Sequence, residues 1–234
     1  MLGLALAAAV STTNVVTSRG DQPLAIYAAV APADRPLVLF LSGEGGWRSF
    51  DEEVAGRLAA RGYTVGGIDC LRYFHTAQDD RALLAKDVRK FADALIASVK
   101  APASARVVLA GYSFGADLAP WIAGVPDRDP RIAALLLIGP DKKGSLQARI
   151  SEILGLAPSD HVFDTAAALA EATTLPVLFV HGEDDGESDA PELHRGFAGT
   201  KKRLLVVPGS HHFSGHLDAL EAALADGLST LLTR

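Results

Sequence analysis

Residues 106–117 read RVVLAGYSFGAD, and this stretch decides how the chain folds. The apolar run Arg106–Ala110 predicts a buried strand, and a helix is expected to begin at Phe114. Between them, Gly111-Tyr-Ser-Phe-Gly115 matches the Gly-x-Ser-x-Gly pattern, which places a serine in a sharp turn between a strand and a helix. Glycines flank the serine because the strained turn leaves no room for neighbouring Cβ atoms. The stretch therefore predicts a nucleophile, Ser113, with the N–H of Phe114 as an oxyanion donor.

Outward from this stretch, short apolar runs alternate with longer helical segments, which is typical of βαβ units. We therefore predict an α/β fold with a mostly parallel central sheet and helices on both faces, in one domain over residues 19–234. The predicted strands are Leu24–Val30, Leu37–Ser42, Thr64–Ile68, Arg106–Tyr112, Ala133–Ile138, Val177–His181 and Arg203–Val207. The predicted helices are Phe50–Arg61, Arg81–Val99, Phe114–Ala123, Pro191–Ala198 and Leu217–Leu232.

The longest segment between two predicted strands covers residues 139–175. The spacing of its leucines and isoleucines predicts one amphipathic helix around residues 146–154, and a second helix is predicted at Ala166–Ala172. Two interpretations of this excursion are open. It forms helices that cover the sheet, or it forms a cap over an active site.

The amino terminus resembles part of a secretory signal. Met1–Ser18 contains no charged residue, and Leu2–Val10 is an apolar run rich in alanine and leucine. The basic segment that usually precedes such a run is missing, so we expect residues 1–18 to be a signal-peptide remnant, with a disordered terminus or a first strand as the alternative. No other stretch reaches the roughly 18 uninterrupted apolar residues that a membrane span needs.

Charge and cysteine content exclude several classes of function. The formal net charge of −6 offers no basic surface for phosphates, so no nucleic-acid partner is expected. The one cysteine, Cys70, excludes an internal disulfide and a multi-cysteine zinc site. Adjacent histidines and acids suggest a metal site as an alternative, but no third ligand has a suitable spacing. We expect no metal and no cofactor.

A serine nucleophile needs a histidine base held by an acid, in the chain order Ser, Asp, His. The strand Val177–His181 is followed by Asp184 and Asp185, and the strand Arg203–Val207 is followed by His211 and His212. These ends lie at the same sheet edge as Ser113. Position after the strand favours Asp185 as the acid. Position before a phenylalanine favours His212 as the base, which leaves His211 to orient the loop or contact substrate.

The glycine-rich turn SGEGGW at residues 42–47 follows the second predicted strand. Hydrolases with a serine in such a turn place their second oxyanion donor here, which predicts the N–H of Gly43 or Glu44. A nucleotide site is disfavoured because neither a Lys-Ser/Thr pair nor Gly-x-Gly-x-x-Gly spacing is present. Trp47 and Tyr112 are predicted to contact substrate; for Trp47, covering the following helix is an equal alternative.

Four segments together resemble the VirJ/AcvB family of bacterial virulence proteins, within the α/β-hydrolase superfamily. They are Leu41–Trp47, Leu71–Phe74, Gly111–Asp117 and Pro208–Gly215, and they span most of the chain. The resemblance implies the α/β-hydrolase fold and a periplasmic protein linked to type IV secretion and membrane-lipid homeostasis. Family members of the AcvB type hydrolyse lysyl-phosphatidylglycerol, and the longer ones carry an additional amino-terminal domain.

The leading hypothesis is therefore a periplasmic serine hydrolase that cleaves an aminoacyl ester, with lysyl-phosphatidylglycerol as its substrate. Ser113, His212 and Asp185 would be nucleophile, base and acid. Two alternatives are a noncatalytic periplasmic adaptor for type IV secretion components and a generic carboxylesterase. The three hypotheses differ in whether Ser113 is needed and in which esters are cleaved.

Overall fold

The computed structural model describes residues 9–30, 35–148 and 160–232. Its strands are β1 (Ala9–Thr17), β2 (Gly20–Ala28), β3 (Leu37–Leu41), β4 (Val65–Ile68), β5 (Val107–Tyr112), β6 (Ile132–Ile138), β7 (Lys143–Ser145), β8 (Val162–Asp164), β9 (Val177–Gly182) and β10 (Lys202–Val207). Its helices are α1 (Ser49–Ala60), α2 (Cys70–Tyr73), α3 (Arg81–Ser98), α4 (Phe114–Ala123), α5 (Thr165–Glu171), α6 (Ala190–Gly196) and α7 (Leu217–Leu231).

Eight strands form one sheet in the order β1-β2-β4-β3-β5-β6-β9-β10. β2 pairs antiparallel with both β1 and β4, whereas every other neighbouring pair in this sheet is parallel. The predicted mostly parallel sheet is confirmed. Because the six strands from β4 to β10 in this order run in one direction, their carboxyl ends meet along one edge, where α/β folds place their ligands.

Helices cover both faces of the sheet because the central strands are apolar on both sides. α1 and α7 pack on one face, and α3 to α6 pack on the other. In β3, Leu39 and Leu41 belong to the core under α3 and α4, while Val38 and Phe40 belong to the core under α1. The two cores make the sheet a rigid support for the loops at its carboxyl edge.

The amino-terminal hairpin shows the structure of residues 9–18 within the segment predicted as a signal-peptide remnant. Ala9–Thr17 pairs along its whole length with β2, and Ser18 in the turn donates its N–H to the buried carboxylate of Asp87 at 2.9 Å. Residues 9–18 therefore form a first strand of the sheet and its turn, which was the alternative given for this part of the chain. Residues 2–8 of the apolar run lie outside the described residues. No helix in the described ranges is long and apolar enough to cross a membrane.

The excursion between β6 and β9 contains a small antiparallel sheet, β7 with β8, and then α5. The predicted helix at Ala166–Ala172 is confirmed as α5, whereas most of the helix predicted around residues 146–154 lies outside the described residues. Phe163 and Leu169 are buried in the core under α4, and the Phe163 ring lies 4.5 Å from that of Trp121. The described part of the excursion therefore covers the sheet.

Candidate active site

Ser113 lies in the turn between β5 and α4, in the sharp geometry that its motif predicts. Its backbone has φ 50° and ψ −118°, which is rare for a residue with a side chain. A Cβ at Gly111 would lie 2.1 Å from the carbonyl oxygen of Gly115, and a Cβ at Gly115 would lie 2.3 Å from that of Leu41. Both glycines are required by these close backbone contacts, which fix Ser113 at the carboxyl edge of the sheet.

Asp185 and His211 form a buried pair at the same edge. The Nδ1 of His211 lies 2.9 Å from Oδ2 of Asp185, and the two side chains are 9% and 0% exposed. The other oxygen of Asp185 accepts the backbone N–H groups of Glu187 at 2.9 Å and Ser188 at 3.1 Å. Both carboxylate oxygens are therefore occupied, and the His211 ring is held by its Nδ1 with Nε2 left for chemistry.

Gly139, directly after β6, makes room for this pair. Its φ is +62°, and a Cβ at this position would lie 2.9 Å from Cε1 of His211 and 3.6 Å from Oδ2 of Asp185. A residue with a side chain would be strained at this φ and would push against a ring that is already hydrogen-bonded. Sequence reasoning missed this residue, although a glycine directly after a buried strand was the available signal.

The structure disagrees with the choice of His212 as the base. His212 is exposed, its Nδ1 lies 2.5 Å from the hydroxyl oxygen of Tyr112, and it has no acidic partner among the described residues. Phe213 after it is completely buried, with φ 50°. Because this turn buries His211 and Phe213, His212 between them faces outward. The role of base expected for His212 therefore belongs to His211, and the role of positioning the loop or contacting substrate belongs to His212. Asp185 meets His211, and the exposed Asp184 does not.

Tyr112 lines the cleft, as predicted for a substrate contact, but its hydroxyl is already engaged. It donates to the carbonyl oxygen of His211 at 3.3 Å and contacts His212. Burial, and then the nearby carboxylates of Asp51 and Asp185, raise the pKa of Tyr112, so its hydroxyl keeps its proton. Tyr112 therefore connects the Ser113 turn to the histidine turn.

The predicted oxyanion donors lie on either side of Ser113. Gly43 and Glu44 follow β3 and line the same cleft as Ser113 and His211. Phe114 begins α4, and its backbone N–H has no acceptor among the described residues. The arrangement places the N–H of Phe114 and the positive end of α4 beside an oxygen of a group bound at Ser113, whereas the N–H of Gly43 lies near the carboxyl group of Asp51. Ser113 Oγ is not hydrogen-bonded to His211, and such bonds often form only with substrate present.

Trp47 does not line the cleft, so its interpretation as a substrate contact is wrong. Its ring packs against Gly67 of β4, where a Cβ would lie 2.2 Å from Cη2 of the indole. The ring also lies edge-on to Phe40 at 5.9 Å, and its Nε1 donates to the hydroxyl of Tyr27 at 3.4 Å. These contacts place the indole on strands β2, β3 and β4, whereas the predicted alternative was that it covers the following helix.

The cleft in front of Ser113 has a volume of about 870 Å³ and an acidic wall. Its described lining contains one guanidinium group and four carboxyl groups, those of Arg48, Glu44, Asp51, Glu53 and Glu187. No described residue of the excursion 139–175 takes part. Across the described ranges, no three histidine, cysteine, aspartate or glutamate side chains lie close enough together to hold a metal ion.

Asp51 is the buried member of this wall, and sequence reasoning missed it. It is only 3% exposed, and its Oδ2 accepts the backbone N–H of Arg48 at 3.2 Å. Its Oδ1 is buried without a hydrogen-bond partner. Burial raises the pKa of Asp51 to about 7, and the N–H groups of Arg48 and Gly43 only partly offset this effect.

The fold is similar to that of several solved esterases. Est1E from Butyrivibrio proteoclasticus aligns with a TM-score of 0.69 and 17% identity, over 95% of this chain and 99% of that chain. An esterase from the hyperthermophilic archaeon Pyrobaculum calidifontis aligns with a TM-score of 0.67 and 18% identity, over 97% and 87%. An esterase from Pyrococcus furiosus aligns with a TM-score of 0.69 and 14% identity, over 97% and 92%. At these identities the likeness establishes the α/β-hydrolase fold.

Sequence comparison identifies the family. A search of curated proteins gave no match. The family model described as "Bacterial virulence protein (VirJ)" matches residues 35–232, which is most of the chain. The predicted family and fold are therefore confirmed, and the chain belongs to the VirJ family of bacterial virulence proteins, with an α/β-hydrolase fold.

Proposed function

We propose that this protein is a serine hydrolase that cleaves an aminoacyl ester, with lysyl-phosphatidylglycerol as its substrate. The observation that carries the proposal is the buried Asp185–His211 pair on the same cleft as Ser113 in its strained turn. A serine at a helix start, a histidine oriented by an acid and nearby N–H donors are the parts that acyl transfer requires. Family membership and the esterase fold agree with this reaction class.

In the proposed reaction, Ser113 Oγ attacks the acyl carbonyl carbon while Nε2 of His211 takes the hydroxyl proton. The oxyanion is stabilised by the N–H of Phe114 and by the loop that contains Gly43 and Glu44. His211 then gives the proton to the departing glycerol oxygen, and an acyl-enzyme remains. Water, activated by the same ring, hydrolyses it and releases the amino acid. Asp185 holds the ring and stabilises its charged form throughout.

The acidic lining of the cleft supports a cationic acyl group. Four carboxyl groups and one guanidinium give the described wall an excess of negative charge, although Glu53 is also paired with Arg57 at 3.1 Å. A lysyl ester carries two amines, so it suits this wall better than a fatty acyl ester does. The resemblance to AcvB-type proteins adds the lipid headgroup, the periplasmic location and the link to type IV secretion to the proposal.

The test is to incubate the purified protein with vesicles that contain lysyl-phosphatidylglycerol, and separately with p-nitrophenyl acetate. We expect release of free lysine by the wild type, and a loss on the order of 10⁶-fold in the Ser113→Ala variant. Ser98→Ala, an exposed serine at the end of α3, is the matched control and should keep full activity. Hydrolysis of the simple ester alone would favour the generic carboxylesterase, and hydrolysis of neither would favour the adaptor.

A further inference from the structure

Asp51 is a carboxyl group whose surroundings leave one oxygen unsatisfied. It is the third residue of α1, and its Oδ2 completes a capping interaction with the N–H of Arg48. Its Oδ1 is buried without a partner, while the side chain lies in the wall of the Ser113 cleft. A buried polar atom without a hydrogen bond destabilises the fold, so it needs an explanation.

The charges around Asp51 make a cation the fitting partner. Asp69 lies close enough to raise its pKa further, and Glu44, Glu53 and Glu187 line the same cleft. The cation that lines the described cleft, Arg48, directs its Nε to the carbonyl oxygen of Gly45. A neutral or anionic group would leave the negative field uncompensated, whereas an ammonium group supplies both a positive charge and N–H donors.

Asp51 also lies at the right end of the cleft. The backbone N–H of Gly43 lies near enough to lower the pKa of Asp51 without making a hydrogen bond to Oδ1, so Asp51 adjoins the loop expected to hold the carbonyl oxygen of the substrate. In an aminoacyl ester, the α-nitrogen is only two bonds from the carbonyl carbon that Ser113 attacks. A carboxylate beside the oxyanion loop is therefore within reach of the α-ammonium, whereas an ε-ammonium lies several bonds further away.

We propose that Asp51 binds the α-ammonium group of the substrate and thereby selects α-aminoacyl esters over neutral acyl esters. This inference rests on the proposed function, because it assigns the substrate class of the same site. It extends to any ester of an amino acid with a free α-amine, whatever the side chain. The Asp51 carboxylate in the cleft wall is the group that accepts the ammonium N–H, and a small shift of its side chain would bring Oδ1 to the ligand.

Binding of substrate-like amides to the Ser113→Ala variant tests the inference without catalysis. Isothermal titration calorimetry at pH 7 would compare norleucinamide, which has the α-amine, with 6-aminohexanamide, which has only the terminal amine, and with hexanamide. We expect norleucinamide to bind at least about 10-fold more tightly than hexanamide. Adding Asp51→Asn should remove this preference, because asparagine keeps the acceptor for the Arg48 N–H but loses the charge.

Glu52→Gln is the matched control, since Glu52 is the next residue of α1, is exposed and does not line this cleft. It should leave the preference unchanged. The inference is overturned if Asp51→Asn keeps the preference, if 6-aminohexanamide binds as tightly as norleucinamide, or if no amide binds. Hydrolysis by the wild type is scored separately, so failure of the proposed function and failure of ammonium binding give different results.

A second measurement needs no variant at Asp51. At pH 6 a carboxyl group with a pKa of about 7 is mostly protonated, and pairing with an ammonium would expel its proton. Calorimetry in buffers of different ionisation enthalpy should show release of close to one proton when norleucinamide binds. Hexanamide should release almost none. Equal proton release by the two amides would overturn the inference.

Discussion

Two buried aspartates differ in how their oxygens are satisfied: Asp51 lines the Ser113 cleft, and Asp185 lies behind the His211 that lines it. Asp185 accepts two backbone N–H groups on one oxygen and meets the His211 ring on the other. Asp51 accepts the Arg48 N–H at 3.2 Å, and its second oxygen has no partner. Burial alone therefore does not define a role. The protein itself completes the hydrogen bonds of Asp185, whereas it leaves Oδ1 of Asp51 without a partner, and we infer that a substrate ammonium supplies one.

The largest effect is expected from substitution of His211, the residue paired with Asp185. His211→Ala should lower ester turnover about 10⁶-fold, because the members of a triad act as a unit. His212→Ala should lower it at most about 10- to 100-fold, since His212 is exposed, has its Nδ1 against the Tyr112 hydroxyl and would only position the loop or the substrate. Steady-state kinetics of the two variants decide the matter. If His212→Ala lost more turnover than His211→Ala, His212 would be the base and Asp185 would have no role in catalysis.

Asp185 itself should be the next most sensitive position. Asp185→Asn should cost about 10⁴-fold in turnover, because an amide cannot stabilise the imidazolium and can hold the wrong tautomer of His211. The adjacent Asp184 is exposed, so Asp184→Asn should cost less than about 10-fold and serves as the control. The readout is turnover of the same ester by both variants. Equal, mild losses would mean that neither aspartate supports the base.

Asp51 should make the free energy of unfolding depend on pH. The pKa of Asp51 in the folded protein is about 7, compared with a value near 4 in an unfolded chain. The folded state therefore binds this proton more tightly than the unfolded state does. This contribution is complete below about pH 4 and is lost as the pH rises through 7. The free energy of unfolding of the wild type should therefore fall by about 2–3 kcal/mol between pH 5 and pH 8 on account of Asp51.

Urea unfolding at the two pH values provides the measurement. Asp51→Asn should remove this part of the pH dependence, and at pH 8 the variant should be more stable than the wild type. Glu52→Gln, which removes a charge from the exposed neighbour, should keep the wild-type dependence. If all three proteins show the same pH dependence, the carboxyl of Asp51 is as well satisfied as that of Asp185, and the contrast between them disappears.

The parallel sheet and the acid of the Asp185–His211 pair were predictable from sequence because they follow from local patterns. Apolar runs placed the strands, the Gly-x-Ser-x-Gly spacing placed Ser113, and the position after β9 selected Asp185. Each of these depends on a few adjacent residues. The strand at Ala9–Thr17 was harder to predict, since an uncharged, alanine-rich run has a similar composition in a leader and in an edge strand.

The other features required tertiary contacts. The choice between His211 and His212 depends on which side chain the turn after β10 buries, and that is decided by the packing of Phe213. Trp47 was ambiguous because a large ring beside a glycine-rich loop suits a pocket and a core equally well. From the sequence alone, Asp51 looks like an ordinary acidic residue in the first turn of a helix. Only the packing of α1 against the Ser113 cleft reveals its unpartnered oxygen.

The smallest expected effect concerns the space that lets the Asp185–His211 pair form. Gly139→Ala places a methyl group 2.9 Å from Cε1 of His211 in a residue with φ +62°, and the ring cannot move freely because Asp185 holds its Nδ1. We expect a loss of about 1–2 kcal/mol in stability from the backbone strain. Displacement of His211 should cost a further 10- to 100-fold in turnover, as roughly 1 Å misplacements do.

Gly186→Ala is the matched control for this substitution, because Gly186 adjoins Asp185 in the chain and a Cβ there meets nothing within 4 Å. It should change turnover and the urea midpoint little. If Gly139→Ala lowered stability but left turnover at the level of Gly186→Ala, the methyl group would be accommodated without moving His211. The hydrogen bonds of Asp185 would then be strong enough to hold the His211 ring in place against the added methyl group. Asp185 and Asp51 would differ more in how firmly their hydrogen bonds hold them than the distances alone indicate.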